Sequence, residues 1–182
     1  VFEELKSHNL VRRQLAMNYL IDEIGAASIA PARTIISGEN SSSWQQRTHA
    51  LWLLHRLQAL DATTFALAAN DPTREVRVHS MRVLSESSSW TNAQRKHALA
   101  GLADPDLNVR RAAADAFTTH SDSKHVSRII RALDDTTSKT PHLRHALRIA
   151  LRNQLRDETT LSQLTQRNLR RSDKDAIADV AV

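Results

Sequence analysis

The sequence has no cysteine. Within these 182 residues that excludes disulfides, thiolate zinc sites, covalent haem attachment and a cysteine nucleophile. Glycine (three) and proline (four) are scarce, so hairpin turns have little to be built from, which argues against an all-β fold. Aromatic residues make up only 4% of the chain. No apolar run approaches the roughly 20 residues that a membrane-spanning helix needs, and no signal-peptide pattern is visible. There is no glycine-rich loop to cradle phosphates and no Ser/His/Asp constellation at readable spacing. A surplus of one charge is also modest. Lys and Arg number 25 against 20 Asp and Glu, for a net charge of +5 and a pI near 10.2, so most of the charge reads as a mixed solvated face.

What the chain does have is a repeat. Asp71 to Leu84 reads DPTREVRVHSMRVL, and Asp104 to Phe117 reads DPDLNVRRAAADAF. In both, a Val-Arg pair is followed by a small residue and then an apolar doublet. Asp71 and Asp104 are expected to act as helix N-caps, with Pro72 and Pro105 at the first helical position, where no amide is needed. Three weaker copies align on the small residue, giving AMNYL at Ala16, ALWLL at Ala50, SMRVL at Ser80, AADAF at Ala113 and ALRIA at Ala146. The intervals are 34, 30, 33 and 33 residues, the signature of stacked helix pairs. The periodicity predicts inner helices over 10–24, 44–57, from Pro72, over 105–119 and over 142–155. Outer helices are predicted over 26–36, 63–69, 91–102 and 124–133, with a further pair over 160–168 and 173–182. Polar connections are expected over 37–43, 87–89 and 134–140. Leu53, Leu54, Val83, Leu84, Ala116 and Phe117 should form the core.

The pattern D-x-x-x-x-V-R-x-x-A-x-x-L resembles that of the HEAT repeat family. The resemblance implies an all-α fold, a right-handed α-solenoid of about five to six HEAT-like helix pairs filling residues 1–182 as a single domain. A start at Val1 and an end inside an apolar helical stretch at Val182 are expected of a piece of a larger protein. Local wording resembles one group within the family more closely. RTHALWLLHRLQALD, VRRQLAMNYLIDEIG and HLRHALRIALRNQLRD look like the HEAT region of large planctomycete and verrucomicrobial proteins of the membrane-bound dehydrogenase type. Those proteins join a sugar-dehydrogenase-like β-propeller, HEAT repeats and a c-type cytochrome domain. The resemblance implies a middle domain, without redox centre or substrate site, in an exported or periplasmic parent. Neighbouring domains or another protein would be its partners. This fragment would be no enzyme, with no cofactor and no catalytic residue of its own.

Four arginines recur three residues before the small residue: Arg13, Arg47, Arg77 and Arg110. A residue set by the repeat period serves the repeat more often than a ligand, so these should bond backbone carbonyls or carboxylates, with Asp71 and Asp104 as the natural acids. Among nine histidines, His49, His79 and His145 stand directly before the small residue. One repeat apart means roughly 10 Å, too far to share a small ion. Trp44 and Trp90 follow serine runs and suit hydrophobic staples on the entering chain. Trp52 occupies a slot shared by Asn18, Arg82, Asp115 and Arg148, so it is expected at the inner surface, facing solvent or tucked against the outer helix. An alternative reading rests on Arg82, Arg111, Arg144, Arg148 and Arg152 as a basic inner stripe for phosphates. With Trp52, Asp115 and Arg148, it loosely resembles the HEAT-like alkylpurine DNA glycosylases, which use an Asp, an Arg and Trp residues on a concave face. Trp52, Arg82, Arg111, Asp115, Arg144 and Arg148 are thus the candidate binding residues.

Overall fold

A computed structural model describes residues 1–38, 42–137 and 139–180. Every regular element among them is helical, and no strand is present. A 3₁₀ turn (Phe2–Lys6) leads to α1 (Leu10–Tyr19), which widens into a π-turn over Leu20–Ile24. Gly25 then ends it at φ +57° and ψ −129°, a positive-φ turn open to glycine but not the left-handed helix cap, which Gly38 adopts after Ser37 (φ +77°, ψ +4°). A second 3₁₀ turn (Gly25–Ser28) enters α2 (Ile29–Ser37), whose Pro31 lies in the first turn, where its missing amide costs nothing. The remaining helices are α3 (Trp44–Arg56), α4 (Ala62–Ala69), α5 (Arg74–Glu86), α6 (Asn92–Gly101), α7 (Leu107–Ala116), α8 (Ser123–Asp134), α9 (Pro141–Arg156), α10 (Glu158–Thr165) and α11 (Arg171–Val180). Parts of three expected segments lie outside the described residues: 39–41 of the first serine-rich connection, 138 of the later one, and 181 and 182 of the last helix.

Most helix starts follow local capping chemistry. Ser43 and Thr91 each head a capping box closed by Gln46 and Gln94. Asp61, Asp122 and Asp157 accept hydrogen bonds from first-turn amides of α4, α8 and α10. The Asp-Pro starts differ from the expectation. Asp71 Oδ1 accepts from the Thr73 amide (2.8 Å), and Asp104 Oδ1 accepts from the Asp106 amide (2.8 Å). Each carboxylate is spent closing a turn over its proline, so the helix begins two residues later. Asp106 is the N-cap of α7, accepting from Asn108 and Val109, and Thr73 stands at the matching place before α5.

The chain forms two compact units, Val1–Val83 and Leu84–Val182. In the first, α2 packs on α3, and α4 packs on both. In the second, α9 is central, with α7, α8, α10 and α11 all packing on it. Burial follows the repeat. The small slot (Ala16, Ala50, Ser80, Ala113, Ala146) is buried in all five copies. The second member of the doublet (Leu20, Leu54, Leu84, Phe117, Ala150) is fully buried in all five. The predicted core residues Leu53, Leu54, Val83, Leu84, Ala116 and Phe117 are all inaccessible to solvent.

Candidate functional site

All four arginines of the repeat slot bond backbone carbonyls. Arg13 donates from Nη1 to the Ser7 carbonyl (2.6 Å). Arg47 donates to the Ser42 carbonyl (2.5 Å), Arg77 to the carbonyls of Asp71 (2.9 Å) and Pro72 (3.1 Å), and Arg110 to the Leu102 carbonyl (3.2 Å). Each guanidinium therefore fastens its helix to the chain that enters it. Arg47 also reaches forward. Its Nε and Nη2 grip the two oxygens of Asp71 at 2.6 and 3.0 Å, and Nη2 also donates to Thr73 Oγ1 (3.0 Å). This fork ties one copy of the repeat to the next across a pair only 14% and 6% exposed. The expectation that Asp71 serves an arginine holds, with its carboxylate on Arg47 and its carbonyl on Arg77.

Two tryptophan–histidine clusters were only half legible. Trp52 on α3 is half-buried, and its indole N–H donates to His79 Nδ1 on α5 at 2.9 Å. Its ring meets those of His55 and His79 edge-on, at 5.8 and 6.1 Å. Trp52 thus turns toward α5. Because Nδ1 accepts, His79 is neutral with its proton on Nε2. Burial, then the positive charge of Arg82 and then His49, hold it down at about 4. Burial likewise lowers His49, with Arg13 adding to the effect.

Trp90, in the second unit, does precede an N-cap, as a staple would. Its ring, however, packs on Phe117 (5.1 Å, edge-on) and His120 (4.0 Å), and its N–H donates to the Leu84 carbonyl (2.9 Å). His120 Nε2 shares that carbonyl at 3.2 Å. His125 closes the cluster from α8, 4.9 Å from Phe117, buried and with neither ring nitrogen hydrogen-bonded. Burial drives both histidines toward the neutral form. Asp122 and the His120 backbone oppose this at His125, while Arg95 and the His120 ring reinforce it. Trp44 is no staple. Ser43 is the cap, so Trp44 is the first residue inside α3 and lies exposed.

Of the proposed basic stripe, Arg82 stands exposed on α5, and Arg111 and Asp115 stand exposed on α7. Arg144 and Arg152 are exposed on α9, with Arg144 reaching Thr136 Oγ1 (3.3 Å). Arg148 is paired. It donates to Asp179 Oδ2 (2.6 Å) and to the Asp179 carbonyl (3.0 Å) on α11. No local signal announces a partner 31 residues away. Among the described residues, no group of three or more His, Asp or Glu side chains could hold a metal, and no helix is long and apolar enough to cross a membrane. Compared with protein-family models and with curated proteins, the sequence matches none.

Proposed function

We propose that this chain is a non-enzymatic helical-repeat scaffold, a right-handed α-solenoid of HEAT-like pairs that docks neighbouring domains of its own protein or another protein. The observation that carries this reading is the uncovered face of α1. Val11, Leu15 and Tyr19, at i, i+4 and i+8, are 64%, 64% and 50% exposed. Tyr19 occupies the slot in which Leu53, Val83 and Ala116 are fully buried. An exposed apolar stripe of this kind is what a neighbouring domain or docked partner covers. The uniform structural use of the arginine slot supports the same reading. The resemblance to the HEAT region of dehydrogenase-like proteins makes neighbouring domains, in an exported parent, the natural partners.

The test is Leu15→Glu. The wild-type chain should self-associate or bind a hydrophobic dye through α1. The variant should lose that behaviour while keeping its helical circular dichroism. A wild-type chain that neither associates nor binds dye removes the reading. The second reading, a nucleic-acid-binding surface, is favoured by the exposed Arg82, Arg111, Arg144 and Arg152. It predicts micromolar, steeply salt-dependent DNA binding that Arg111→Glu with Arg148→Glu abolishes. The scaffold reading predicts no DNA binding at physiological salt.

A further inference from the structure

Helix α9 carries an unusual concentration of one charge. Its 16 residues include Arg144, Arg148, Arg152 and Arg156 and no acid. The four stand at successive i, i+4 positions, a stripe offset by one residue from the buried Leu143, Leu147 and Leu151. Like charges at that spacing destabilise a helix, so helix stability does not account for the pattern. One of the four is relieved from outside. Between α9 and α11 lies an open cavity of about 210 Å³, lined by His145, Arg148, Ile149, Arg152, Asp179 and Val180. Into it α11 presents the carboxylate and main-chain carbonyl of Asp179, and the two arms of the Arg148 guanidinium take one each, at 2.6 and 3.0 Å. A side-chain carboxylate beside its own backbone carbonyl is what any acidic residue of a peptide offers. The pair is about two-fifths exposed on each side, so water and competing anions reach it. Arg152 and His145 flank it, and Ile149 and Val180 supply apolar wall.

We propose that this face of α9 is a docking surface for an acidic peptide segment of a partner protein, and that Asp179 is a built-in competitor that an incoming Asp or Glu displaces. Arg148 takes the displacing carboxylate, and Arg144, Arg152 and Arg156 take acidic residues on either side along the helix. The bond pattern favours a peptide over a nucleic acid, because the site already accommodates a main-chain carbonyl and two apolar side chains. The inference rests on the scaffold reading and names the chemistry of one partner.

The experiment is anisotropy titration of a fluorescent, end-capped peptide of alternating Asp and Ala at low and physiological salt, with duplex DNA as the parallel probe. Asp179→Asn should bind the peptide several-fold more tightly than wild type, since the competitor is gone. Arg152→Glu removes one flanking cation and sets a competing carboxylate one turn from Arg148, and should weaken binding at least tenfold. Circular dichroism establishes that each variant is folded. Peptide binding that Asp179→Asn strengthens and Arg152→Glu weakens supports the proposal. Absence of peptide binding by wild type and by folded Asp179→Asn overturns it, as does binding of DNA in preference to the peptide. Should Asp179→Asn not fold, wild-type binding unaffected by Arg152→Glu, or no wild-type binding at all, overturns it equally. None of these outcomes touches α1, so the docking role tested by Leu15→Glu stands or falls separately.

Discussion

The two buried-edge tryptophans make a controlled comparison. Trp52 and Trp90 each stand beside two histidines with an arginine near by, yet the histidines are kept neutral in different ways. At Trp52 the indole N–H occupies the Nδ1 lone pair of His79, and the group is only half-buried. Protonating that nitrogen breaks one hydrogen bond and leaves the ring close to water. At Trp90 the indole bonds backbone instead, and His125 is sealed behind Phe117 with both nitrogens unpaired. Protonation there would place a charge in a largely apolar site, a cost that Asp122 and the His120 backbone offset only in part. Both histidines are held below 6.5, so both titrations are coupled to folding. What differs is whether the imidazole has a partner and whether water can reach it.

The largest expected effect tests the Trp90 cluster as core. Phe117→Ala should destabilise the second unit by about 3–5 kcal/mol, through lost transfer energy and the cavity left under Trp90 and His125. Urea unfolding monitored by circular dichroism measures it. A cost below about 0.5 kcal/mol would mean that the cluster is a surface feature.

Next in size is acid sensitivity. His125 is held below its ordinary value of 6.5, so below that pH the unfolded chain binds a proton that the folded chain does not. Its contribution to stability is complete above pH 6.5. It falls as pH drops, by at most about 1.4 kcal/mol per unit, until the folded-state value is reached. Stability measured from pH 7 to 5 should fall, and His125→Phe should remove its share of a slope to which His49, His79, His97 and His120, also held low, contribute. An unchanged slope in the variant would remove His125 as the sensor.

The smallest effect belongs to the other cluster. Trp52→Phe should cost only about 0.5–1.5 kcal/mol, one hydrogen bond and its geometry. It should also let His79 rise somewhat from about 4, since an unoccupied Nδ1 is easier to protonate, while burial and Arg82 still hold it low. Histidine proton NMR reads this directly, and a titration identical to wild type would break the contrast.

Much of the fold was legible because it is periodic. The small slot and the second member of the doublet are buried in all five copies, and the recurring arginines serve the backbone as their spacing implied. The misreadings came where one side chain had two options. Asp71 and Asp104 are good caps in the abstract, but beside proline their carboxylates close a turn first, and the helix start moves on by two residues. Trp44 and Trp90 follow similar serine runs, but the cap falls before one and after the other. The candidate binding residues were legible only as exposed positions. That Arg148 is already paired depends on α11 folding back onto α9.

By itself the sequence determined the helical class, the repeat, its core and the structural role of its arginines. All of these follow from side-chain spacing along one helix or from chemistry within a few residues. Only the tertiary structure decided which face of α1 stays uncovered, which carboxylate Arg148 meets, and which histidine is cut off from water. Those outcomes turn on desolvation and on partners distant in the chain, and no local pattern encodes how much water is left at a site once the helices have packed.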